Sequence, residues 1–336
     1  MDLTVVIPTR NRRAILAETV ARLERQADEE RFEVVVVDDG SDDGTPDWVA
    51  ERASSSPLPI TLLRQPGTGP AAARNRGLAV AQAPVCLCLD DDTWPRPGLV
   101  RRHLEFHRAH PEPQAALLGH VTVPDDPPPT PFMRWHATLH MGHHHIDDHS
   151  DVEGAHFYSG NVSAKTAFLR DAGGFDEGFA VAAHDDIDLG LRLERRGMRL
   201  AYDPEAVVEH YQPIDLWRAI ERLHATGRAL VRFAERHPDR PLPRRPGTRH
   251  RVKAGALAAL AVARVRRPAL QRETWRFVCH EAAREGYWSA RAGAPPPARA
   301  ELRIGRLLAR LASRDPDAQM PADRLSASSR PQALSV

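Results

Sequence analysis

The sequence Val-Val-Val-Val-Asp-Asp-Gly-Ser occupies residues 34–41 and is the clearest indication of the fold of this chain. Its four consecutive valines predict a strand that is covered on both faces, and the two aspartates end that strand abruptly. The sequence Val-Cys-Leu-Cys-Leu-Asp-Asp-Asp at residues 85–92 repeats the arrangement. Ligands of an open parallel sheet bind beyond the carboxyl ends of its strands. We therefore expect both acidic clusters to lie at one functional edge of a sheet.

The first 123 residues alternate strand and helix patterns, which predicts an α/β fold with a mostly parallel central sheet and crossover helices. Helical spacing relates Leu16, Val20 and Leu23, and Thr45 with Pro46 is typical of a helix start. The predicted strands cover residues 3–7, 32–37, 60–63, 85–89 and 116–123. The sheet is thus expected to be Rossmann-like, with flanking helices.

The rest of the chain divides by composition. Five prolines in residues 124–131 exclude regular structure there. The later predictions are helices at 165–172, 185–196, 216–237, 252–287 with an interruption at Pro268, and 298–312, and a strand at 202–210. We expect a domain at 1–212, made of a nucleotide-binding half at 1–123 and an acceptor half at 124–212, then a helical region at 213–312 and a disordered tail at 313–336.

Composition and charge narrow the class of protein. The chain has 336 residues, of which 42% are hydrophobic, and its start lacks a signal-peptide pattern, so we expect a cytoplasmic enzyme. Its three cysteines, Cys86, Cys88 and Cys279, are too few for a disulfide framework and are expected in the core.

Basic residues concentrate near the C-terminus. Residues 241–312 carry 15 Arg and 1 Lys against 4 Glu, while the net charge of the whole chain is +1, so residues 1–240 are acidic. No nucleic-acid motif accompanies the arginines, which argues against nucleic-acid binding. Peripheral contact with the inner face of a membrane, dimerisation and plain helix packing remain alternatives, because the apolar run at 254–265 is shorter than the roughly 20 residues that span a bilayer.

Carboxylates supply the candidate chemistry. Pro8-Thr9-Arg10-Asn11, Asp38-Asp39 and Asp90-Asp91-Asp92 follow predicted strands and should converge. Paired carboxylates suit a hard divalent ion, Mg²⁺ or Mn²⁺, that neutralises a departing diphosphate. Asp185, Asp186 and Asp188 begin a predicted helix, where a carboxylate can cap the helix or accept a proton from a hydroxyl. Arg74 is a candidate for phosphate or nucleoside binding, or an ordinary surface residue.

The ordered motifs of residues 2–212 resemble family 2 glycosyltransferases of the GT-A fold. The likeness rests on Val5 to Arg12, the Val-Asp-Asp-Gly-Ser-Asp-Asp-Gly-Thr run at 37–45, Ala-Arg-Asn within 69–77, Leu89 to Asp92, Ser159-Gly160-Asn161, Gly173 to Glu177, the acidic pair before Ile187 and the segment 204–210. The resemblance implies a metal-dependent inverting transfer of sugar from a nucleoside-diphosphate sugar, most commonly a UDP-sugar, to an acceptor hydroxyl.

The resemblance also implies residue roles. Donor-binding residues would be Pro8, Thr9, Arg10, Asn11, Asp39, which would bond the base, Arg74, Asp90 and Asp91. Metal ligands would be Asp90, Asp92 and His210. Asp186 would be the general base, and Asp185 stands where the family usually has Glu. A non-catalytic nucleotide-sugar-binding protein and a sugar nucleotidyltransferase are the alternatives; the latter usually has a Gly-rich loop after its first strand, where this chain has Pro8 to Asn11.

The candidate acceptor-binding residues are inferred only from their position in the sequence. Trp135, Tyr158, Gly160 and Asn161 lie between the acidic motifs and are expected to contact the acceptor, which could be a glycan, a lipid carrier, a peptide or a small natural product. The His-rich loop at 140–149 is either part of a polar acceptor-facing loop or a second metal site.

Overall fold

A computed structural model describes residues 1–139, 143, 146–179, 181, 183–243, 245, 256, 268–295 and 319 of this chain. Two compact units are present: residues 1–127 with 139–212, and residues 128–138 with the described residues from 213 onward. Residues 128–138 belong to the second unit, whereas the sequence placed them in the expected domain at 1–212. The predicted helix at 298–312 and most of 252–267 and of the 313–336 tail lie outside the described residues.

The first unit is built on one mixed sheet. Within its described residues the strands are β1 (Leu3–Thr9), β2 (Phe32–Asp38), β3 (Ile60–Arg64), β4 (Val85–Leu89), β5 (Thr93–Pro95), β6 (Ala115–Thr122), β7 (Asn161–Lys165) and β8 (Arg199–His210). Their order is β3-β2-β1-β4-β7-β6-β8-β5. The pairs among β1 to β4 and the β6–β8 pair are parallel, whereas β7 is antiparallel to both neighbours and β5 is antiparallel to β8.

Helices cover both faces of this sheet, as the unbroken apolar strands predicted. In the first unit they are α1 (Arg13–Glu24), α2 (Thr45–Ser55), α3 (Pro70–Val80), α4 (Leu99–Ala109), α6 (Thr166–Asp171) and α7 (Asp185–Glu194). Alternate residues of one strand enter different cores: Val5 belongs to the same buried cluster as Leu16 of α1, and Val6 to the same buried cluster as Leu189 of α7. Cys86 and Cys88 are buried, as expected.

Two strands at the centre and edge of the sheet were not predicted. β7 lies between β4 and β6, although its sequence Asn-Val-Ser-Ala-Lys is short and half polar. Lys165 ends this strand, so the helix predicted from residue 165 begins instead at Thr166. β5 has only three residues and gives no periodic signal.

An irregularity in β8 redirects the end of that strand. Gly119 of β6 pairs with Asp203, but the next residue, His120, pairs with Val207. Residues 204–206 are therefore extra, and such a bulge re-aims the side chains that follow it. His210, the last residue of β8, lies beyond the bulge.

The second unit contains α5 (Pro131–Ala137), α8 (Leu216–Arg236) and α9 (Pro268–Arg291) among its described residues. The Asp215 side chain caps α8 by accepting from Arg218 N at 2.7 Å. The backbones of α8 and α9 approach so closely at Gly227 that a Cβ on this residue would lie 1.8 Å from Ala283 O. Across the described part of the chain, every helix is too short or too polar to cross a membrane.

Candidate functional site

The 90–92 acidic cluster is held by the chain that follows β1. Arg12 donates from Nη1 to Asp91 Oδ1 at 2.8 Å and from Nη2 to Asp92 Oδ2 at 2.7 Å. Thr9 Oγ1 donates to Asp91 Oδ2 at 2.8 Å, so both oxygens of Asp91 are engaged inside the protein. Burial raises the pKa of Asp91 to about 7, although the Arg12 charge opposes this. Thr9 and Asp91, both expected at the donor, are thus joined to each other here.

Asp92 faces His210 across the ladder between β5 and β8. Thr93 pairs with His210, and Tyr211 N donates to Asp92 O at 2.8 Å. His210 Nε2 lies 3.3 Å from Asp92 Oδ1, the oxygen that does not accept from Arg12. Burial opposes ionisation of Asp92, but Arg12 and His210 outweigh it and hold the pKa of Asp92 well below its usual range. The two predicted metal ligands are therefore adjacent, and the carboxylate is ionised.

Asp39 organises the loop that leads into α3. Its Oδ1 accepts from Gln65 Nε2 at 2.7 Å and from Thr68 N at 2.8 Å, and Gly69 N donates to Oδ2 at 3.1 Å. The Arg10 guanidinium lies against the same loop, with Nη1 3.3 Å from the position of a Cβ on Gly67. Asp39 and Arg10 therefore border the same edge of the sheet.

Asn11 joins the loop after β1 to the loop after β2. Its φ of 53° is left-handed, a conformation that asparagine tolerates better than most residues. Asn11 Oδ1 accepts from Asp42 N at 2.8 Å, and Asn11 N donates to Ser41 Oγ at 2.8 Å. Pro8, another predicted donor residue, lies within β1 opposite Val37. These two loops are consequently fixed to one another at the edge where the acidic clusters meet.

Arg74 connects Asp90, a predicted metal ligand, to Asp185, the neighbour of the predicted general base. From α3 it donates through Nη2 to Asp90 Oδ1 at 2.7 Å and through Nη1 to Asp185 Oδ2 at 3.0 Å. Its side chain is only 4% exposed, and the guanidinium lies 5.4 Å from the Phe175 ring centroid. A buried arginine between two carboxylates is not a solvated surface residue, which excludes that alternative.

Asp186 has the electrostatics of a proton acceptor. Its Oδ1 accepts from Ile187 N at 2.8 Å and its Oδ2 from Ser159 N at 3.3 Å. Burial, reinforced by the charge of Asp185, raises the pKa of Asp186 to about 7. Burial also raises the pKa of Asp185, against the charge of Arg74. A carboxylate whose pKa is near neutrality can both take up and release a proton at physiological pH.

Asp188 belongs to the framework of the fold. It is fully buried, and its Oδ2 accepts from Arg192 Nε at 2.8 Å one turn later in α7. Arg192 also donates to the carbonyls of Ala172 and Gly174. Asp188 therefore ties α7 to the end of α6 through Arg192.

The four predicted acceptor residues have different environments. Tyr158 is near Asp186: burial and then the Asp186 charge raise the pKa of Tyr158 to about 12. Gly160 lies beside Asp90, with Oδ2 3.3 Å from the position of an added Cβ. Asn161 has no exposed surface and bonds inside the sheet. Trp135 is in the second unit, where its ring centroid lies 5.6 Å from that of Trp275.

Three residues of this site were absent from the sequence-based set. Arg12 had a usable signal, because it directly follows the Pro8 to Asn11 turn at a strand end. Ser159 contributes its backbone N–H, which carries no side-chain signature. Gln65 reaches Asp39 from β3's end, and a lone glutamine gives no signal of such a bond.

No group of three His, Cys, Asp or Glu side chains among the described residues has the geometry of a metal site. His143 of the His-rich loop stacks on Tyr202, with ring centroids 5.5 Å apart, and His149 contacts the same ring. His140, His144 and His145 lie outside the described residues. The second-metal interpretation thus has no support in the described part of the loop.

Sequence comparisons give a consistent family. The model of glycosyl transferase family 2 matches residues 4–169. The pre-mycofactocin glycosyltransferase of Mycobacterium tuberculosis is 33% identical over 250 residues, which cover 72% of this chain and 49% of that protein. The validoxylamine A glucosyltransferase of Streptomyces hygroscopicus subsp. jinggangensis is 33% identical over 229 residues, which cover 61% and 54%. This chain spans about half the length of these curated relatives.

Solved structures match at the level of the fold. The mannosyltransferase PcManGT from Pyrobaculum calidifontis, in complex with GDP-Man and Mn²⁺, aligns with a TM-score of 0.55 at 20% identity, over 87% of this chain and 88% of that chain. S. aureus TarS 1-349, in complex with UDP-GlcNAc, aligns with a TM-score of 0.51 at 19% identity, over 88% and 93%. These likenesses confirm the predicted GT-A fold.

Proposed function

The chain belongs to glycosyl transferase family 2, and from this premise we propose that it transfers a sugar from a nucleoside-diphosphate sugar to an acceptor hydroxyl, with inversion and with a divalent metal. One observation carries the proposal. Arg74 joins Asp90 of the metal motif to Asp185, and the next residue, Asp186, has a pKa of about 7. A donor-binding group and a proton acceptor are thereby held together.

The donor would lie at the edge formed by Pro8 to Asn11, Asp39 and Asp90. PcManGT and TarS in their complexes with GDP-Man and UDP-GlcNAc support a nucleotide-sugar donor. Asp39 Oδ2 accepts from Gly69 N, and a carboxylate oxygen has a further lone pair for the N–H of a base. Uracil, guanine and thymine all present such an N–H; we propose a UDP-sugar because it is the commonest donor in the family that the chain resembles, with GDP- and dTDP-sugars as the alternatives. Arg10 at the same edge would bring positive charge to the diphosphate.

The side chains present fit a divalent cation in part. Asp92 Oδ1 and His210 Nε2 are 3.3 Å apart and are oxygen and nitrogen donors of the kind that Mn²⁺ accepts. Arg12 keeps Asp92 ionised and occupies its other oxygen. Bound Mg²⁺ or Mn²⁺ would offset the charge that develops on the leaving diphosphate. Asp92 and His210 would hold it directly, and Asp90, whose Oδ1 accepts from Arg74, would complete the motif beside the donor.

Asp186 would act once the acceptor is in place. The acceptor oxygen attacks the anomeric carbon, its proton passes to the Asp186 carboxylate, and the bond from that carbon to the diphosphate oxygen breaks with its electron pair. Direct displacement inverts the anomeric centre and needs no covalent enzyme intermediate. Ser159 N and Ile187 N orient the carboxylate, and its pKa near 7 allows the proton to leave to solvent after each turnover.

Tyr158 is the residue we assign to the acceptor with the most support. It is partly exposed and close enough to Asp186 for the carboxylate charge to raise its phenol pKa. An aromatic face beside a base suits an acceptor that presents a sugar-like or cyclic polyol surface. The names of the relatives, pre-mycofactocin and validoxylamine A glycosyltransferases, support a small natural product as that acceptor.

The first test is a donor screen. The melting temperature of the purified protein is measured with UDP-, GDP- and dTDP-sugars, with and without Mn²⁺, because a ligand that binds the folded state raises it. A metal-dependent rise with one nucleotide class, followed by release of that nucleoside diphosphate when acceptor is added, would support the proposal. Binding without release under any acceptor would favour a non-catalytic nucleotide-sugar-binding protein. Release of inorganic pyrophosphate from a nucleoside triphosphate and a sugar phosphate would indicate a nucleotidyltransferase.

A further inference from the structure

We infer that Asn161 is a positioning residue: its buried amide fixes the bulge between β6 and β8 and thereby aims both Ser159 and His210 into the site. The inference rests on the proposed function for its catalytic meaning, but its structural content is independent of it. Asn161 is the first residue of β7, two positions after Ser159. It is fully buried and was expected, from sequence, at the acceptor.

The Asn161 amide binds on both sides of the bulge. Nδ2 donates to His120 O at 3.1 Å and to Ala206 O at 2.8 Å. His120 is the first residue of β6 after the register shift, and Ala206 is the last extra residue of β8. Gly119 leaves the room for this crossing, because a Cβ there would lie 2.2 Å from Asn161 Nδ2 and 2.5 Å from Ala206 O.

The two carbonyl acceptors fix the positions of the hydrogen-bonding protons in a buried network of four side chains. The four belong to Asn161, His103, Ser163 and His107. Since only the amide nitrogen can donate to carbonyls, Asn161 Oδ1 must face His103 Nε2, at 3.0 Å, and His103 must carry its proton on Nε2. Burial lowers the pKa of His103 to about 4, so the ring is neutral and its Nδ1 is an acceptor. Ser163 Oγ then donates to His103 Nδ1 at 2.8 Å and accepts from His107 Nε2 at 2.9 Å.

Two of the four side chains in this buried network belong to helix α4. His103 and His107 lie on one face of α4, one turn apart, and both reach the side chains of β7. Burial lowers the pKa of His107 to about 3, so it too stays neutral. The network therefore does not titrate near neutral pH and holds Asn161 in one orientation.

Asn161 holds two backbone segments that lead into the candidate site. Ser159 N, which precedes the anchored residue, donates to Asp186 Oδ2. His210, which follows the anchored bulge, pairs with Thr93 and faces Asp92. Asn161 touches neither the base nor the metal motif, yet it links the backbone segments that aim both. Aspartate could not replace it, because a carboxylate would place an acceptor against the two carbonyls.

The test compares Asn161→Ala with Ser163→Ala by amide hydrogen exchange in the full chain. Asn161→Ala removes the link across the bulge, whereas Ser163→Ala interrupts the same buried chain but leaves both carbonyl bonds of Asn161 in place. Exchange at Ser159 N and Tyr211 N is measured relative to Val35 N in β2, far from the network. We expect Asn161→Ala to accelerate exchange at both amides by at least about tenfold, and Ser163→Ala by less than about threefold.

Donor kinetics add the functional readout. Asn161→Ala should lower kcat by a larger factor than it raises the donor KM, because Asp186 and the pair of Asp92 and His210 are misaligned together. Ser163→Ala should leave kcat/KM for the donor near that of the wild type. Equal exchange at Ser159 and Tyr211 in both variants would overturn the inference even if the wild type is an active transferase. If the wild type turns over no donor, the exchange data still decide the positioning role.

The wild-type protein supplies a measurement that needs no folded variant. ¹⁵N NMR of the histidines should show His103 protonated at Nε2 and unprotonated at Nδ1, with no titration between pH 6 and 8, and slowly exchanging side-chain amide protons on Asn161. A proton on Nδ1 of His103, or fast exchange of the Asn161 amide, would contradict the arrangement.

Discussion

Replacing Arg74 by Met should destabilise the protein strongly at high pH and much less at low pH. Arg74 is the shared partner of Asp90 and Asp185, with side-chain N–O distances of 2.7 and 3.0 Å. Methionine preserves the apolar stem and its packing near Phe175 but removes the charge. The variant therefore isolates the electrostatic role of Arg74 from its volume.

The magnitude follows from burial. The side chain of Asp185 is 3% exposed and that of Asp90 is 34% exposed, so the unpaired charge of Asp185 dominates the effect and solvent screens that of Asp90. Removing one partner of a buried ion pair costs about 3–5 kcal/mol. Because native domains are stable by about 5–15 kcal/mol, this loss is a large share of the total.

The sign of the pH dependence follows from the raised pKa values. Burial already raises the pKa of Asp185 and Asp186, and loss of Arg74 raises both further. Between the unfolded value of 3.8 and those raised values, the folded variant binds more protons than the unfolded chain, so its stability falls as the pH rises. The deficit should thus be largest above the folded pKa values and shrink as the pH falls through them.

Urea unfolding followed by circular dichroism at pH 8.5 and pH 5.5 measures this deficit. Arg102→Met is the matched control, since Arg102 binds Asp203 through two nitrogens but its side chain is 41% exposed. A surface pair of this kind contributes at most about 1 kcal/mol. An Arg74→Met deficit no larger than that of the control, or one that is equal at both pH values, would show that Arg74 does not stabilise the buried charge of Asp185.

Three further predictions concern single side chains. Asp186→Asn should stabilise the fold at pH 8 by about 4 kcal/mol, because burial raises the pKa of Asp186 from 3.8 to about 7 and each unit of that difference corresponds to about 1.4 kcal/mol; the gain should vanish below about pH 4. A loss of stability at pH 8 in thermal unfolding would contradict this. His210→Ala should weaken Mn²⁺ binding, measured by electron paramagnetic resonance with nucleotide present, by at least about tenfold, and an unchanged affinity would remove His210 from the ligand set. Gly77→Ala should cost about 1–3 kcal/mol in urea unfolding, because its Cβ would lie 2.4 Å from Val6 Cγ1; a neutral result would mean that α3 shifts freely on β1.

The parts of this fold that sequence predicted are those with a local signal. β2 and β4 end in carboxylates within a few residues, and the β-branched and aliphatic runs before them have no alternation, so both their burial and the edge they point to could be inferred. β7 could not, because Asn161 and Ser163 interrupt its apolar pattern. Their buried polar groups are satisfied by histidines of α4 and, for Asn161, by two backbone carbonyls as well.

Pairings distant in sequence account for the rest. Arg74 meets Asp90 and Asp185 across 16 and 111 residues, and no single-chain pattern distinguishes such an arginine from a surface one. Arg12 reaches Asp91 and Asp92 across 79 and 80 residues. Sequence thus identified the carboxylates of the site and named Arg74 among its candidates, whereas the ion pairs that Arg74 and Arg12 make with those carboxylates emerged only from the fold.

The role of Asp186 as the base is tested most directly by comparing sugar transfer in the wild type and in Asp186→Asn. The rate of nucleoside diphosphate release with a matched donor, acceptor and Mn²⁺ is measured for both, together with the donor dissociation constant from calorimetry. We expect kcat to fall by about 10²–10⁴-fold while donor affinity stays within a small factor, because the carboxylate acts only in the step that moves the proton. An Asp186→Asn enzyme with wild-type kcat would contradict it.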